Sequence, residues 1–480
     1  MKILLINPPI PKVFRMVEFA DAEAKKSIAR RVMVGPPLAL NELAGVIPDE
    51  EIIILDQKTE NDNCDDYDYM AVVKKTVEEF QPDMVGVTSI TAQYNCARTI
   101  VKWVKEYNSE ILTMVGGIHA TLCTDSFADS KADIISIGIG KHSIKEIAEV
   151  CKKYGVHGDY SKIPGIAINK GGILVRTKSL CELSYNEIKE HFLFDKVLPN
   201  RKLTDKYNYT MEPIGLSIHY LSTSSGCTHK CNFCSIWQTT DGRYFHKDVE
   251  TIIDELKTMD RYNIIRFCDA NTFGDIEKAR RLFTRIIEEG LNKHFYMADI
   301  RTDTVLRHRD VIELAVKAGL KIAVCGLEAT SNEELEKYNK QNTIENISEA
   351  LKILNSYGVM VNGNYIVRHD YVHSDFERIA RFVKENPIFH SGFTILTPFP
   401  GTELGEQMKD EIIINNYDYY NLTNAVVRTT LPEPEFYKQV GELYIISKAS
   451  TGDFMRKYGD PTSVPLDKVL GKYAPKRMGR

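Results

Sequence analysis

No apolar stretch in this chain approaches the roughly 18 residues that a membrane-spanning helix needs. Nor is one sign of charge in excess. Lys and Arg number 61 and Asp and Glu 66, a formal net charge of −5, so the basic field that drives nonspecific nucleic-acid binding is missing. The start, MKILLINPPIP, has too short an apolar core for a signal peptide and reads as a strand, and a cytoplasmic protein is expected. What remains is ordinary for a globular chain. Over 480 residues, 43% are hydrophobic and 26% charged, which excludes a disordered or collagen-like polymer. The length corresponds to roughly three domains of about 150 residues each.

Cysteine is also missing where a disulfide framework or a second metal knuckle would need it. Of ten cysteines, seven (Cys64, Cys96, Cys123, Cys151, Cys181, Cys268 and Cys325) are scattered singly, as buried free thiols are, and none follows Cys325. An auxiliary all-cysteine iron–sulfur cluster is therefore not expected. The other three, Cys227, Cys231 and Cys234, fall within eight residues. In a reducing compartment such a cluster argues for metal ligation.

The front of the chain alternates short apolar runs (2–6, 51–55, 84–88, 111–115 and 134–137) with amphipathic segments such as 94–107 and 142–154. That pattern predicts an α/β fold, a doubly wound parallel sheet covered on both faces. Polar and glycine signals sit at the carboxyl ends of the runs: Asn7-Pro8-Pro9, Asp56, Ser89-Ile90-Thr91, Gly116-Gly117 and Gly138-Ile139-Gly140. Each glycine alone would mark a tight turn. Together, Ser89, Thr91, Gly116, Gly117, Gly138 and Gly140 outline a ligand edge. Residues 10–36 form a long connection that reads as a lid or substrate loop. Residues 165–176 read as a hairpin through Lys170-Gly171-Gly172, followed by a linker to 212.

From 216 onward, strand and helix patterns alternate six times, with strands expected at 216–223, 264–268, 295–299, 321–325, 359–367 and 392–396. Repeated units of this kind predict a partial parallel (β/α)6 barrel with its working residues at the carboxyl ends of the strands. The loop after the first strand carries Cys227-Thr228-His229-Lys230-Cys231-Asn232-Phe233-Cys234, a CxxxCxxC. Three thiolates this close can bind three irons of a 4Fe–4S cluster and leave the fourth iron open. Zinc, with His229 or His246 as fourth ligand, is the competing reading, although no second cysteine pair completes a structural knuckle.

Two resemblances follow from these residues. The pieces INPP, GPPLALNELAGVI (35–47), VGVTSITAQY (85–94) and VGGIHATL (115–122) resemble the cobalamin-binding domain that precedes many radical S-adenosylmethionine (SAM) enzymes. Two departures stand out. The acidic turn usual after the fifth strand is Gly138-Ile139-Gly140-Lys141 here, and none of the 12 histidines has Asp two positions before it, so the DxHxxG cobalt-ligand motif is absent. His119, beside a glycine pair, reads as a loop or pocket-wall residue. The CxxxCxxC with Phe233 before its last cysteine matches the radical SAM signature. So does the order of Cys268-Asp269-Ala270-Asn271, Asp299-Ile300-Arg301, Gly326-Leu327-Glu328, Asn364 with Arg368, and Thr397-Pro398-Phe399-Pro400-Gly401-Thr402. The resemblance implies that Phe233, Asp269, Arg301, Glu328 and Thr397 lie around SAM. For each one alone, a strand-end hydrogen bond or salt bridge is the alternative account.

The domains expected are 1–155, cobalamin-binding-like; 156–212, hairpin and linker; 213–402, the barrel; and 403–480, a small, mostly helical segment. In that last segment Tyr417, Tyr419, Tyr420, Tyr437 and Tyr444 read as core packing, and the basic end PKRMGR as a solvated tail. The implied function is reductive cleavage of SAM at a 4Fe–4S cluster to a 5′-deoxyadenosyl radical. Its use would be cobalamin-dependent C-methylation, similar in layout to the hopanoid methylases. Implied partners are a small-molecule or lipid-like substrate and an electron donor such as flavodoxin or ferredoxin. Alternatives are a cyclase or carbon–carbon coupling enzyme of the same domain plan and, from another class, a non-catalytic cobalamin or metal sensor.

Overall fold

The structure is a computed structural model that describes residues 1–27, 35–184, 186–187, 196–211 and 216–458. Seven strands form the first sheet: β1 (Lys2–Asn7), β2 (Glu51–Asp56), β3 (Met84–Thr88), β4 (Leu112–Gly116), β5 (Ile134–Ser136), β6 (Ile166–Lys170) and β7 (Ile173–Arg176). Side-chain alternation along these runs divides the core in two. Leu4, Ile6, Val85, Val87 and Val115 pack in one cluster, with helices Tyr69–Phe80 and Tyr94–Tyr107. Ile3, Leu5, Met84, Leu112 and Met114 pack in the other, with helices Leu38–Val46 and Lys141–Tyr154. The parallel order β2-β1-β3-β4-β5 reverses between β1 and β3, so their connections leave toward opposite faces and open a crevice at the carboxyl edge. The hairpin belongs to this sheet: β6 pairs antiparallel with β5. It covers the open edge of a strand only three residues long.

The second sheet contains β8 (Thr210–Met211), β9 (Leu216–Leu221), β12 (Ile264–Phe267), β13 (Phe295–Asp299), β14 (Leu320–Glu328), β15 (Met360–Val367) and β16 (His390–Ile395). A separate two-stranded ribbon, β10 (Ser224–Gly226) with β11 (Tyr244–His246), interrupts it in sequence. Strands β9 and β12 to β16 run parallel in sequential order, each neighbour joined by a returning helix, and no pairing among the described residues closes β16 onto β8. The result is an open half-barrel whose lumen floor is apolar, with Ile218, Ile264, Met297 and Ile322 in one cluster.

The described part of the connection at 10–36 is clasped rather than free. Phe19 stacks on Tyr437 at 5.4 Å, Arg15 pairs with Glu433 at 2.6 Å, and Asn421 and Asn424 donate to the Val13 carbonyl. Residues 28–34 lie outside the described residues, as does the basic end of the chain. Helix Glu433–Tyr458 runs on through Thr451 and Gly452. Tertiary contacts override their poor propensity: Ser447 and Thr451 bond to the Ser391 and Phe389 carbonyls, and Phe454 packs on Phe389.

The segment 196–211 joins the two sheets. Arg201 donates to Glu255 and to the Tyr220 carbonyl, while Lys247 Nζ reaches the second Glu255 oxygen at 2.7 Å. Arg201 Nε also donates to His219, whose ring burial and the nearby guanidinium hold neutral by pushing its pKa down to about 3. On the other side, Tyr209 donates to the buried Asp56, and Asn41 donates to the Asn200 carbonyl. Glu255 is wholly buried. Glu255→Ala would strand two cations and is expected to cost about 3–5 kcal/mol, read as a lower urea midpoint at unchanged slope.

Candidate active site

The cysteine loop is built on a corner that cannot hold itself. After β9, Ser222, Thr223 and Ser224 turn into the ribbon, and Asp269, at the end of β12, collects them. Its carboxylate accepts from the Thr223 amide (2.8 Å), the Ser224 amide (2.9 Å), the Thr223 hydroxyl (2.6 Å) and the Ser222 hydroxyl (3.4 Å). Burial pushes this carboxyl up to about 6, against the pull of those donors. At Gly226, φ is 82° and a Cβ would lie 2.1 Å from the Arg243 carbonyl oxygen, so the ribbon crosses there only as glycine.

Cys227, Cys231 and Cys234 are free thiols, Cys231 buried and the other two half-buried. Cys234 donates its amide to the Cys231 carbonyl, and so does the Trp237 indole at 3.1 Å. Neighbouring segments grip the loop from outside. Asn232 donates to the Lys337 carbonyl, Asn339 to the Lys230 carbonyl, and the Leu404 amide to the Asn232 carbonyl. Phe233 meets Tyr338 edge-on at 5.3 Å. Burial pushes the Cys234 thiol up to about 11 and raises Cys231 as well, against the cations Lys340 and Arg301. Among the described residues, no three His, Cys, Asp or Glu side chains are gathered into a metal polyhedron. The three loop thiols are thus not themselves drawn together into such a group, and as donors they are soft and all of one kind. That set suits a 4Fe–4S cluster with one open iron better than a closed zinc site. His246 bonds the Lys247 carbonyl through Nδ1, and burial holds His229 neutral with its pKa pushed down to about 4.

At the barrel mouth the structure adds a residue that sequence reasoning missed. Lys340 is buried, and its ammonium donates to Glu328 at 2.7 Å. Arg301, at the end of β13, donates to the Lys340 carbonyl and to Asp303. Glu328, Asn339 and Gln341 all take left-handed backbone angles, with φ of 65°, 52° and 54°. Three non-glycine residues in that region at one corner mark strain that the surrounding bonds hold in place. A Cβ on Gly326 would meet the Glu328 carboxylate and Lys340 Nζ, so the pair lies directly over that strand position. Arg301 and Glu328 thus lie together beside the cysteine loop. Asp269 lies behind the loop as its brace, and Thr397 is buried with its hydroxyl donating to the Ile395 carbonyl. A lysine inside an acidic and amidic run carries no periodic signal, so nothing local in the sequence marks Lys340.

In the first domain, a cavity of about 190 Å3 opens at the carboxyl edge of the sheet. Gly116, Gly117, Gly138 and Gly140 line it, with Thr88, Ser136, Glu42 and Lys141. A Cβ at Gly117, where φ is 100°, would strike Ser89 backbone atoms at 2.7 and 2.9 Å. Ser89 and Thr91 lie outside the lining. The Ser89 amide donates to the Gly116 carbonyl, and Thr91 bonds His119 at 3.2 Å. His119 sits behind the cavity among Tyr94, Phe127 and Tyr417, neutral because burial pushes its pKa down to about 4. The cavity edge meets the cysteine region directly. The Cβ position at Gly138 is 3.5 Å from the Thr239 carbonyl oxygen, Gly401 abuts Leu122, and Arg243 donates to the Leu180 carbonyl.

Comparisons with known proteins agree with this arrangement. Residues 221–383 match the model of the radical SAM superfamily and residues 25–148 that of the B12 binding domain. The uncharacterized methyltransferase PH0819 of Pyrococcus horikoshii is 28% identical over 439 residues, covering 89% of this chain and 88% of the relative. The hopanoid C-3 methylase of Methylococcus capsulatus is 27% identical over 375 residues, 77% of this chain and 68% of the relative. Among solved structures, the radical SAM methyltransferase TsrM from Kitasatospora setae, with cobalamin and a 4Fe-4S cluster bound, superposes with a TM-score of 0.64 at 16% identity, covering 91% of this chain and 81% of that one. The cobalamin-dependent radical SAM enzyme OxsB, with aqua-cobalamin bound, gives 0.60 at 16% identity, with 87% of this chain spanning 56% of that longer chain. The structural likeness is one of fold.

Asp269→Asn leaves part of the donor set at 222–224 without an acceptor. In the metal-free protein under reducing conditions, the cysteine-loop thiols are expected to react with a maleimide at least about tenfold faster than in the unaltered chain, as local opening that costs over about 1.4 kcal/mol less would allow. Labelling is read by peptide mass mapping.

Proposed function

This chain belongs to the radical SAM superfamily and carries an N-terminal B12 binding domain, and from that premise we propose that it is a cobalamin-dependent radical SAM methyltransferase acting on an unactivated carbon. The cluster and the corrinoid, when bound, supply reductive cleavage of SAM and a methyl carrier. The chain's own residues supply ligation, charge and exclusion of water. Cys227, Cys231 and Cys234 would ligate the cluster through three of its irons, with SAM as the ligand of the remaining one. Asp269 keeps the corner before Cys227 in place. Lys340 and Arg301 set two cations beside Cys231, where they favour the thiolate and can meet the SAM carboxylate, and Glu328 offers an acceptor to the SAM amine. Phe233 and Thr397 wall the same mouth. Gly116, Gly117, Gly138 and Gly140 would let a flat cofactor approach the backbone, and the DxHxxG motif is absent from the sequence.

The observation that carries this reading is the placement of one loop with three free thiols against a glycine-lined cavity on the facing domain edge. The first domain is taken to extend past 155 to include the hairpin that completes its sheet, with the barrel over 213–402. An electron donor of flavodoxin or ferredoxin type and a reducing, cytoplasmic setting suit the free thiols. No helix among the described residues is long and apolar enough to cross a membrane. The substrate is taken to be a small molecule or lipid-like compound.

Reconstituted without air, the chain is expected to hold about four irons, as a 4Fe–4S cluster requires, and to form deoxyadenosine from SAM with dithionite. Cys231→Ala is expected to abolish that product, and a fully reconstituted variant that still makes it would refute the ligand assignment. Deoxyadenosine without corrinoid binding would favour a cyclase or coupling enzyme instead.

Lys340→Met is expected to raise the KM for SAM about tenfold, the loss of one charge-assisted bond, with iron content unchanged. Lys340→Arg should recover most of it. Equal KM values in all three would remove Lys340 from the SAM site.

A further inference from the structure

The half-barrel lumen contains a charged layer that the proposed reaction does not yet use. Side chains alternate along a strand. On β12, Ile265 and Phe267 pack in the outer core, so Ile264 and Arg266 face the lumen. On β13, Tyr296 and Ala298 pack outward and Asp299 inward; on β15, Val361 and Tyr365 pack outward and Asn362 and Asn364 inward. Above the apolar floor, Arg266 lies in register with Tyr220, and Val324 links Asp299 to Asn362 around the curve. The groups of this layer are incompletely paired. Arg266 Nη2 reaches the two Asp299 oxygens at 3.2 and 3.4 Å, longer than the about 2.7–2.9 Å of a tight charge-assisted bond. Arg266 Nε is buried with no acceptor, and Asn362 Oδ1 is buried with no donor. Burial pushes the Asp299 carboxyl above its ordinary range despite the guanidinium beside it, so this carboxylate holds its cation weakly. Both side chains stay partly open, Arg266 22% and Asp299 26% exposed. A donor and an acceptor in one open layer await partners, and a stretched bond is one that a competing anion can replace.

The layer also lies in the right place. One step up the wall Asn364 is exposed, and its neighbours in register, Gly326 and Gly392, are bare. Over Gly326 stand Glu328 and Lys340, the corner given to SAM. That corner is two residues along β14 from Val324, about 7 Å, so the charged layer sits between it and the floor. On the far flank, Gly35 of the first domain lies against the Tyr220 ring with no room for a Cβ and covers that side. Geometry limits the occupant. β12 and β15 are three strand spacings apart, about 14 Å along the curve and less across it, so a molecule that reaches both Arg266 and Asn362 is small. Resting on the radical SAM reading, we propose that the substrate is a small polar anion, with Arg266 binding its carboxylate or phosphate in exchange for Asp299 and Asn362 accepting from a hydroxyl or amine at its other end. Arginine suits this task because it keeps its charge on burial and turns several N–H donors toward one anion. A hydrocarbon filling the same lumen would expel water and leave these groups unpaired.

Three probes share a backbone and differ at one end: glycerol is neutral, glycerate ends in a carboxylate and glycerol 3-phosphate in a phosphate. The full chain, reconstituted without air, is treated with phenylglyoxal, and modification of each arginine is followed by peptide mass mapping. At about 10 mM, above the millimolar affinity expected of so small a ligand, glycerate or glycerol 3-phosphate should slow modification of Arg266 at least about threefold. Glycerol should not, and the exposed Arg381 should be indifferent to all three. The arm that protects identifies the anion. Asp299→Asn removes the internal competitor, so the same probe should then protect at about one-tenth the concentration, a tenfold gain in affinity. An ion pair that only ties β12 to β13 predicts no protection by either anion, and that result would overturn the proposal. So would equal protection by glycerol, or an Arg266 that phenylglyoxal, a reagent of similar size to the probes, cannot reach. Deoxyadenosine formed by the same preparation tests the radical SAM reading separately. Product without protection overturns this inference alone, while protection without product would support the anion site and refute its part in a radical reaction.

Discussion

Three thiols on one eight-residue loop must give up their protons before they can hold iron, and the surroundings of that loop follow from this demand. Burial works against ionisation at Cys231 and Cys234. The chain answers with position and charge. The amides of Ile236 and Trp237 lower the Cys234 thiol, while Lys340 and Arg301 lower Cys231. Lys340 and Arg301 come from outside the loop, which has neither helix nor strand between Gly226 and Trp237. Its shape is borrowed from Asp269 on β12, from the segment at 337–340 and from Leu404.

The same economy governs the meeting of the two sheets. Parallel strands place their carboxyl ends, and the loops that follow, on one edge. Turning two such edges toward one another brings a glycine-lined cavity against the cysteine ribbon with little chain in between. The contact is close: Gly138 faces the Thr239 carbonyl at ordinary contact distance, and Gly401 lies on Leu122 with no room for a side chain. Behind it, Glu255, Arg201 and Lys247 bind linker, barrel strand and ribbon into one buried set of charges. A buried ion set of this kind adds little net stability over well-packed apolar groups, but it penalises any arrangement that separates its members.

Elements whose residues report on their own surroundings were legible. The amphipathic run at 94–107 forms a helix over that span, and the apolar run at 295–299 is a strand over the same five residues. The glycine pairs after β4 and β5 point to the cavity because tight turns and backbone approach need glycine locally. Asp269 was legible as a strand-end acid but not as a brace, since its partners lie 45 to 47 residues away. Ser89 and Thr91 shared the polar signature of the edge and turned out to hold the turn and His119. The connection at 10–36 read as a lid because length carries no direction. Its described part is fixed to a helix more than 400 residues later in the chain.

What the sequence by itself determined, then, were features set within a few residues: the strand and helix pattern, the sulfur spacing that leaves one metal corner open, and the missing histidine motif. Only the tertiary structure decided which side chains share the barrel mouth. Lys340 stands between Glu328 and Arg301 because three left-handed residues and two carbonyl bonds bend distant segments onto one corner. Such proximity depends on chain closure over long separations, and no local pattern encodes it.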